Sequence, residues 1–519
     1  MARLWQSGAE LNSATTGVEF FTVSGSPTID STIKRSGSYS IKIASLVSGT
    51  AKGVLHKFVS STNPGPYWAR GYLYIVTLPS ASNHIMSFNS SSGTAGTSDR
   101  GKITLESDGT LILRDSAGNQ IGSASSALSL NTWYMVELKM DRTPASGSRI
   151  TEGRLNGSVF ATSSTQTDAN NLAVSWGGNF DLEAQTQGEW YWDDLAINDN
   201  SGSLQNSYPG SGKIIHLKPN ASGDANAWLD TAGSAGTTNN YTLVDEVTPN
   251  DATDFIQSTT LNDQDMYNVE NSGIAAGDTV NTVGVYSRNR NDTADTAIGF
   301  KLQIVKTSGG TITQGTEVIP NTTTWRMHNN TEPRNYMLMT HTDPDAAAWT
   351  QSTLDTMQIG AKITTDGTNK IQITALQASV DYTPASGIDV TVSAGVQSKT
   401  INLLAPSVSI SDSNTPSVFS ITVNLPAPTV TTTRNPTVTA DVQSKTINLL
   451  APTITAVRNV SISPSVLSKT INLLTPAFVG PDVNVTVTPK VLEIGRRTYI
   501  YDLDYNLYKR LFGDTYIKL

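Results

Sequence analysis

Apolar and polar residues alternate with a period of two in many short runs of the first 385 residues. That period places successive side chains on opposite faces of a strand. The runs are 17–23, 39–44, 69–76, 84–88, 102–107, 111–115, 133–140, 154–155 with 158–160, and 190–197. Turn signals such as Asp108-Gly109, Ala117-Gly118-Asn119 and Asn156-Gly157 fall between them. So many short strands predict a two-sheet sandwich over residues 1–208. A second set, opening on IIHLKPN and ending on KIQITALQASVDYTP, predicts another sandwich over 209–385. Helical periodicity is almost absent, and only 343–359 could hold one or two turns.

The pattern then becomes a tandem array. SKTINLLAP at 398–406 returns unchanged at 444–452, with one substitution at 468–476 and in degenerate form at 420–428. The starts are 22, 24 and 24 residues apart. Within each copy Ile and Leu alternate with Thr and Asn, and prolines such as Pro406, Pro428, Pro452 and Pro476 close the units. A unit of this size cannot bury a core by itself, so its apolar face meets either the next unit or the same unit of another chain. The second route leads to a homotrimeric stalk over 386–490. Residues 491–519 change character, bringing Tyr499, Tyr501, Tyr505, Tyr508 and Phe512 into a short aromatic segment. That segment is expected to dock on a partner or to cap the array. The fold class is thus all-β: two jelly-roll β-sandwich domains, a β-rich tandem-repeat stalk and a short aromatic C-terminal segment.

Composition narrows the classes of function. The 519-residue chain has a net charge of −9, and its Lys and Arg are not clustered. A nucleic-acid binder needs a basic track, so that class is excluded. The chain has no cysteine, which removes disulfide frameworks and thiol chemistry. No run approaches the roughly 20 apolar residues of a spanning helix, so no membrane insertion is expected. The opening MARLWQSGAELNS lacks the apolar stretch of a secretory signal. A composition suited to the outside of cells, without a visible export route, is what a virion protein made in the host cytoplasm and released by lysis would show.

The motifs GAELNS, GVEF, SGSYSIKI, WARGYLYIVTLPS, NTWYMVELKM and EWYWDDLAIND together resemble the concanavalin A-like (laminin-G-like) jelly-roll lectin domains and related carbohydrate-binding modules. The junction DDLAINDNSGSLQNSYPGSGKIIHLKPN resembles the linkage between such domains in tailed-bacteriophage structural proteins. The resemblance implies a non-catalytic virion structural protein, such as a capsid decoration, head fibre or tail fibre. It would display jelly rolls towards host or environmental glycans and attach to other virion proteins through its C-terminal region. A bacterial cell-surface adhesin is the alternative, and a polysaccharide-degrading tail enzyme a more distant one.

The candidate residues follow. The resembling modules hold a structural Ca²⁺ with an early acidic residue and an Asp on the last strand, which implies Glu10 and Asp194 here. Strand alternation allows only one of Asp193 and Asp194 to face such a site. Six aromatics, Trp68, Tyr72, Trp133, Trp176, Trp190 and Trp192, have the rings that stack on sugars. Trp176, Trp68 and Tyr72 are put forward for glycan binding, with Trp176 first because VSWGGNF reads as a Gly-rich loop. Asp181 and Glu183 share a strand face, but the Glu-x-Asp-x-x-Glu pattern of hydrolases with this fold is absent, so no catalytic residue is assigned.

Overall fold

In the computed structural model the alternating runs pair into two antiparallel sandwiches, followed by a parallel stack of repeats. The structure describes residues 2–385 except 26, 44–52, 60–64, 90–98, 169–172, 179–187, 235–238, 294–296, 321 and 328–336; beyond 385 it describes the backbone of the strands alone. Residues 1–385 form one compact unit and 386–519 a second.

Sheet one of the first sandwich has eight strands. In order these are Ser158–Gln166, Arg149–Leu155, Trp133–Asp141, Tyr67–Thr77, Glu189–Asp199, Ser40–Ile43 and Thr28–Asp30, with Arg3–Ser7 also pairing with Glu189–Asp199. Sheet two runs Gln120–Ile121, Leu111–Asp115, Asp99–Leu105, Asn83–Asn89, Ala173–Gly178, Gly53–Phe58 and Thr22–Ser24. Leu73, Ile75, Phe88, Ile103, Leu138, Val174, Trp190 and Trp192 interdigitate between the sheets. Each sheet combines consecutive hairpin strands with neighbours from distant parts of the chain, such as Tyr67–Thr77 beside Glu189–Asp199 and Ala173–Gly178 beside Gly53–Phe58. This is the crossing connectivity of a jelly roll.

Two five-stranded sheets build the second sandwich. One has Ile371–Thr383 and Thr279–Asn291 at its centre, and the other Gln264–Val269, Gln358–Thr365 and Gly299–Val305. Trp228, Tyr267, Phe300, Ile359 and Ile373 fill the space between. The expected helical segment yields one short helix, Gln351–Leu354, started by a capping box in which Thr350 and Thr353 satisfy each other's backbone N–H groups. No helix among the described residues is long and apolar enough to cross a membrane.

A buried polar seam joins the sandwiches. Strand Arg3–Ser7 is buried along its whole length. Arg3 Nη1 lies 2.6 Å and Arg70 Nη2 3.2 Å from Asp381 Oδ2 of the second sandwich. Gln6 Nε2 donates to the Ser379 carbonyl at 3.0 Å, and the Tyr286 hydroxyl donates to the Gln6 carbonyl at 2.7 Å. Burial alone would raise the Asp381 pKa, but the charges of Arg70 and Arg3 hold it below its ordinary value.

In the array each repeat pairs with the next in the same chain. Ile421 stands beside Lys445 and Lys445 beside Lys469, in parallel strands. Three further parallel sheets stack Val430 on Ile454, Thr437 on Ser461 and Asp441 on Ser465. Each repeat is therefore one coil of a β-solenoid, and like residues fall on like: Thr446 beside Thr470, Asn448 beside Asn472, Leu449 beside Leu473. The aromatic segment forms an antiparallel meander of Leu492–Ile494, Arg497–Tyr501, Leu507–Phe512 and Thr515–Lys518. Tyr499, Tyr501, Tyr508 and Phe512 lie on its strands, and Tyr505 is outside the described residues.

Candidate functional site

The expected metal ligands meet where sheet one faces the second sandwich. Asp194 has φ 51°, and the pairing of its strand with Tyr67–Thr77 shifts register between Asp193 and Ala196. This bulge cancels the alternation, so both carboxylates of the pair turn to the segment at Arg35 and Ser36. The expectation that only one could do so is corrected. Asp193 Oδ2 accepts from the Arg35 and Ser36 backbone N–H groups at 2.7 and 3.3 Å. Asp194 accepts from Arg35 Nη1, the Ser36 hydroxyl and the Ile214 N–H. Glu10 accepts from the Ser38 and Tyr39 N–H groups, beneath a turn whose Gly37 has φ +56° and no room for a Cβ, since one would lie 2.0 Å from Glu10 Oε1.

Burial pushes the Glu10 carboxyl up to about 7, against the pull of those N–H groups. Asp193 is raised well above its ordinary value by burial and then by the charge of Asp194. A hard cation needs free oxygen lone pairs. Here protein N–H and O–H donors use the Glu10 and Asp194 carboxylates, and Arg35 already supplies positive charge to Asp194. Among the described residues no group of three or more His, Asp or Glu is placed to hold a metal ion. These side chains fit a cluster neutralised by arginine and backbone donors better than a calcium site.

The aromatic candidates divide sharply by exposure. Trp176 lies on strand Ala173–Gly178, not on a loop, and is wholly buried with its ring 5.7 Å from that of Trp5. The glycines after it provide clearance. A Cβ on Gly178 would lie 2.2 Å from the Trp190 ring, and Trp190 Nε1 donates to the Gly177 carbonyl at 2.8 Å. Trp176 therefore has no face to offer a sugar, which corrects the first choice of glycan contact. Trp68 and Tyr72 are buried as well. Trp68 packs edge-on against Tyr208, and the Arg35 guanidinium sits 3.3 Å above the Tyr72 ring. Trp190 and Trp192 belong to the core. Trp133 alone of the six is half-buried. Asp181 and Glu183 are outside the described residues.

A second arrangement, missed in the sequence, lies on the outer face of sheet two. Pairing aligns one residue from every strand: Thr22 with His56, His56 with Ser175, Ser175 with Ser87, Ser87 with Lys102, Lys102 with Arg114 and Arg114 with Gln120. All seven are polar. Beside this rung Asn89 Nδ2 donates to Ser175 Oγ at 2.7 Å. Lys102 Nζ and His84 Nδ1 lie 3.6 and 3.5 Å from Asp99 Oδ2. Arg114 donates to Thr104 and to Glu106 at 3.1 Å each. Ser87, Asn89, Thr104 and Ser175 are fully buried, and His84, Asp99 and Lys102 nearly so. Apolar residues would be expected on a sheet face so covered. This one instead presents hydroxyl, amide, ammonium, guanidinium and carboxylate groups in one band.

The chain is thus an all-β protein of two antiparallel sandwiches and a β-solenoid. No family model and no curated protein matches it. Among solved structures it is similar to "Cellulose induced protein, Cip1", with a TM-score of 0.27 and 18% identity over 38% of this chain and 92% of that one. It is also similar to Trypanosoma rangeli sialidase in complex with sialic acid, with a TM-score of 0.27 and 13% identity over 38% and 30%. For the botulinum neurotoxin serotype G binding domain the TM-score is 0.24 and the identity 12%, over 34% and 42%. The match spans less than a third of the sialidase. Likenesses this slight carry no inference about a ligand.

Proposed function

We propose that the chain is a non-catalytic structural protein of a phage particle whose first sandwich binds glycan at the open end of the polar face of sheet two, where Glu106, Arg114 and Gln120 keep surface in solvent. The observation that carries this reading is the polar rung of that sheet, which runs from buried Ser175 and Ser87 through Lys102 to half-buried Arg114 and exposed Gln120. Sugar hydroxyls both donate and accept, and the guanidinium of Arg114, the carboxylate of Glu106 and the amide of Gln120 answer both roles. Glycoside hydrolysis asks for a carboxylic acid held protonated beside a second carboxylate. On this face Asp99 is paired with Lys102 and Glu106 with Arg114, each a carboxylate beside a cation. That pairing supports binding without turnover. The solenoid supports display, since a stack of coils makes a spacer, and the aromatic meander is the segment we assign to docking on other virion proteins. Strand pairing is already satisfied within one chain, so trimerisation would join finished solenoids by their faces.

Binding of the full chain to an array of bacterial surface polysaccharides tests this reading. Arg114→Ala, and separately Gln120→Ala, should each weaken glycan binding by about tenfold, the loss of one or two well-placed hydrogen bonds. Unchanged affinity in both variants would refute sheet two as the site.

A further inference from the structure

Of the nine tryptophans in the chain, Trp133 alone is not buried. It stands on the outer face of sheet one, across the sandwich from the polar rung. Register places Trp133 opposite Tyr74, Tyr74 opposite Tyr191 and Tyr191 opposite Lys42. Three rings and an ammonium group thus follow one another across four adjacent strands. At roughly 4.8 Å per strand the row is about 14 Å long. The Trp133 and Tyr74 rings are 5.1 Å apart and tilted by 48°, and Tyr191 meets Tyr74 edge-on at 6.2 Å. At the far end Lys42 Nζ lies 3.1 Å from Glu189 Oε1 and 5.5 Å from the centre of the Tyr191 ring. The Tyr191 hydroxyl donates to the same Glu189 oxygen at 3.1 Å.

Further along this face the surface is used up: Arg35 covers Tyr72, Arg70 donates to the Gly210 carbonyl, and Tyr208 packs on Trp68. The row at Trp133 lies beyond that cover, and Trp133, Tyr74, Lys42 and Glu189 all keep part of their surface in solvent. We infer that this row is a second saccharide site, taking a neutral pyranose oligosaccharide stacked on Trp133 and Tyr74 with its hydroxyls at Lys42 and Glu189. Aromatic faces suit the C–H face of a pyranose, and the two charges at the end neutralise each other, which favours an uncharged ligand. The row is too small for a stable protein partner, which needs several hundred Å² on each side.

The inference rests on the glycan-binding reading, and its test separates the two. Full-length protein is titrated calorimetrically with cello-, xylo-, manno-, laminari- and chitohexaose, and tryptophan quenching by acrylamide is followed in parallel. Because Trp133 is the exposed indole, a saturating ligand should shield the quenchable fraction. Trp133→Ala and Tyr74→Ala should each weaken binding by at least about tenfold, with Trp133→Phe milder, as expected when a stacking ring is lost or reduced. Added salt should change the affinity little. The Arg114→Ala, Gln120→Ala double variant should keep the quenching protection. Equal affinity in wild type, Trp133→Ala and Tyr74→Ala overturns this site and leaves sheet two standing. Loss of all binding in the Arg114/Gln120 variant alone does the same. A wild type that binds none of the five overturns this site, while the array result above still judges sheet two separately.

Discussion

Glu10 shows how a single carboxyl sets a pH dependence. Its folded pKa of about 7 lies above the ordinary 4.5 because burial disfavours the charge. Between those values the folded state holds more proton than the unfolded one, so stability falls as pH rises from 4.5 to 7. The full loss, present above pH 7, is about 3 kcal/mol for a shift of this size. Glu10→Gln should remove that slope, seen as urea-unfolding curves at pH 5 and pH 7.5 that lie closer together than those of the wild type. His216 works in the other direction. Burial lowers its pKa to about 4, so it costs stability as pH falls from 6.5 towards 4. Glu246, which burial also raises to about 7, adds to the limb above pH 4.5, so the wild-type optimum reflects all three groups and Glu10→Gln removes only the share of Glu10.

Among the elements, the repeat coil makes the plainest claim. Partner residues around the copy that starts at Ser444 are 24 apart, as Ile421 and Lys445 and then Lys445 and Lys469 are, so one coil is the unit of removal there. Deleting residues 444–467 should leave a shorter solenoid with its register intact, while deleting half that length should break the parallel pairing. The circular dichroism and thermal unfolding of the two variants distinguish these outcomes, because neighbouring coils stabilise each other in a linear array. Strand Ala173–Gly178 teaches the opposite lesson about legibility. Val174 and Trp176 alternate correctly for a strand, yet the glycines that follow looked like a loop. Their meaning lies in Trp190, thirteen residues away through a different sheet, whose ring needs the space a Cβ would take.

At the scale of the whole molecule, Asp381 is the residue on which the seam between the sandwiches turns. Asp381→Asn would leave Arg3 buried without a counter-charge and Arg70 with only the more distant Asp194 and Glu137, and should cost about 3–5 kcal/mol. Urea unfolding of the full chain checks this. Arg3→Met in the same background should recover part of the loss, since one of the stranded charges is then gone. A cost under about 1 kcal/mol would mean that the seam is wet and weakly coupled.

The alternation of apolar residues determined by itself that the chain is all-β, where most strands run and that the last quarter repeats, because those properties depend on residues near one another in the chain. The resemblance of the chain's motifs drew attention to Glu10 and Asp194, and its aromatic residues to Trp133. The tertiary structure alone decided which strands became neighbours. The polar rung of sheet two draws on positions from Thr22 to Ser175, and the row at Trp133 on Lys42, Tyr74 and Tyr191; neither shows a spacing that could be read along the chain. Exposure was decided the same way. A tryptophan in a period-two pattern has the same local signature inside or outside, and only the packing of sheets, seam and linker buried Trp68 and Trp176 while leaving Trp133 at the surface. The bulge at Asp194 belongs here too, since a left-handed backbone at one strand residue is imposed by its partners and leaves no mark in the pattern.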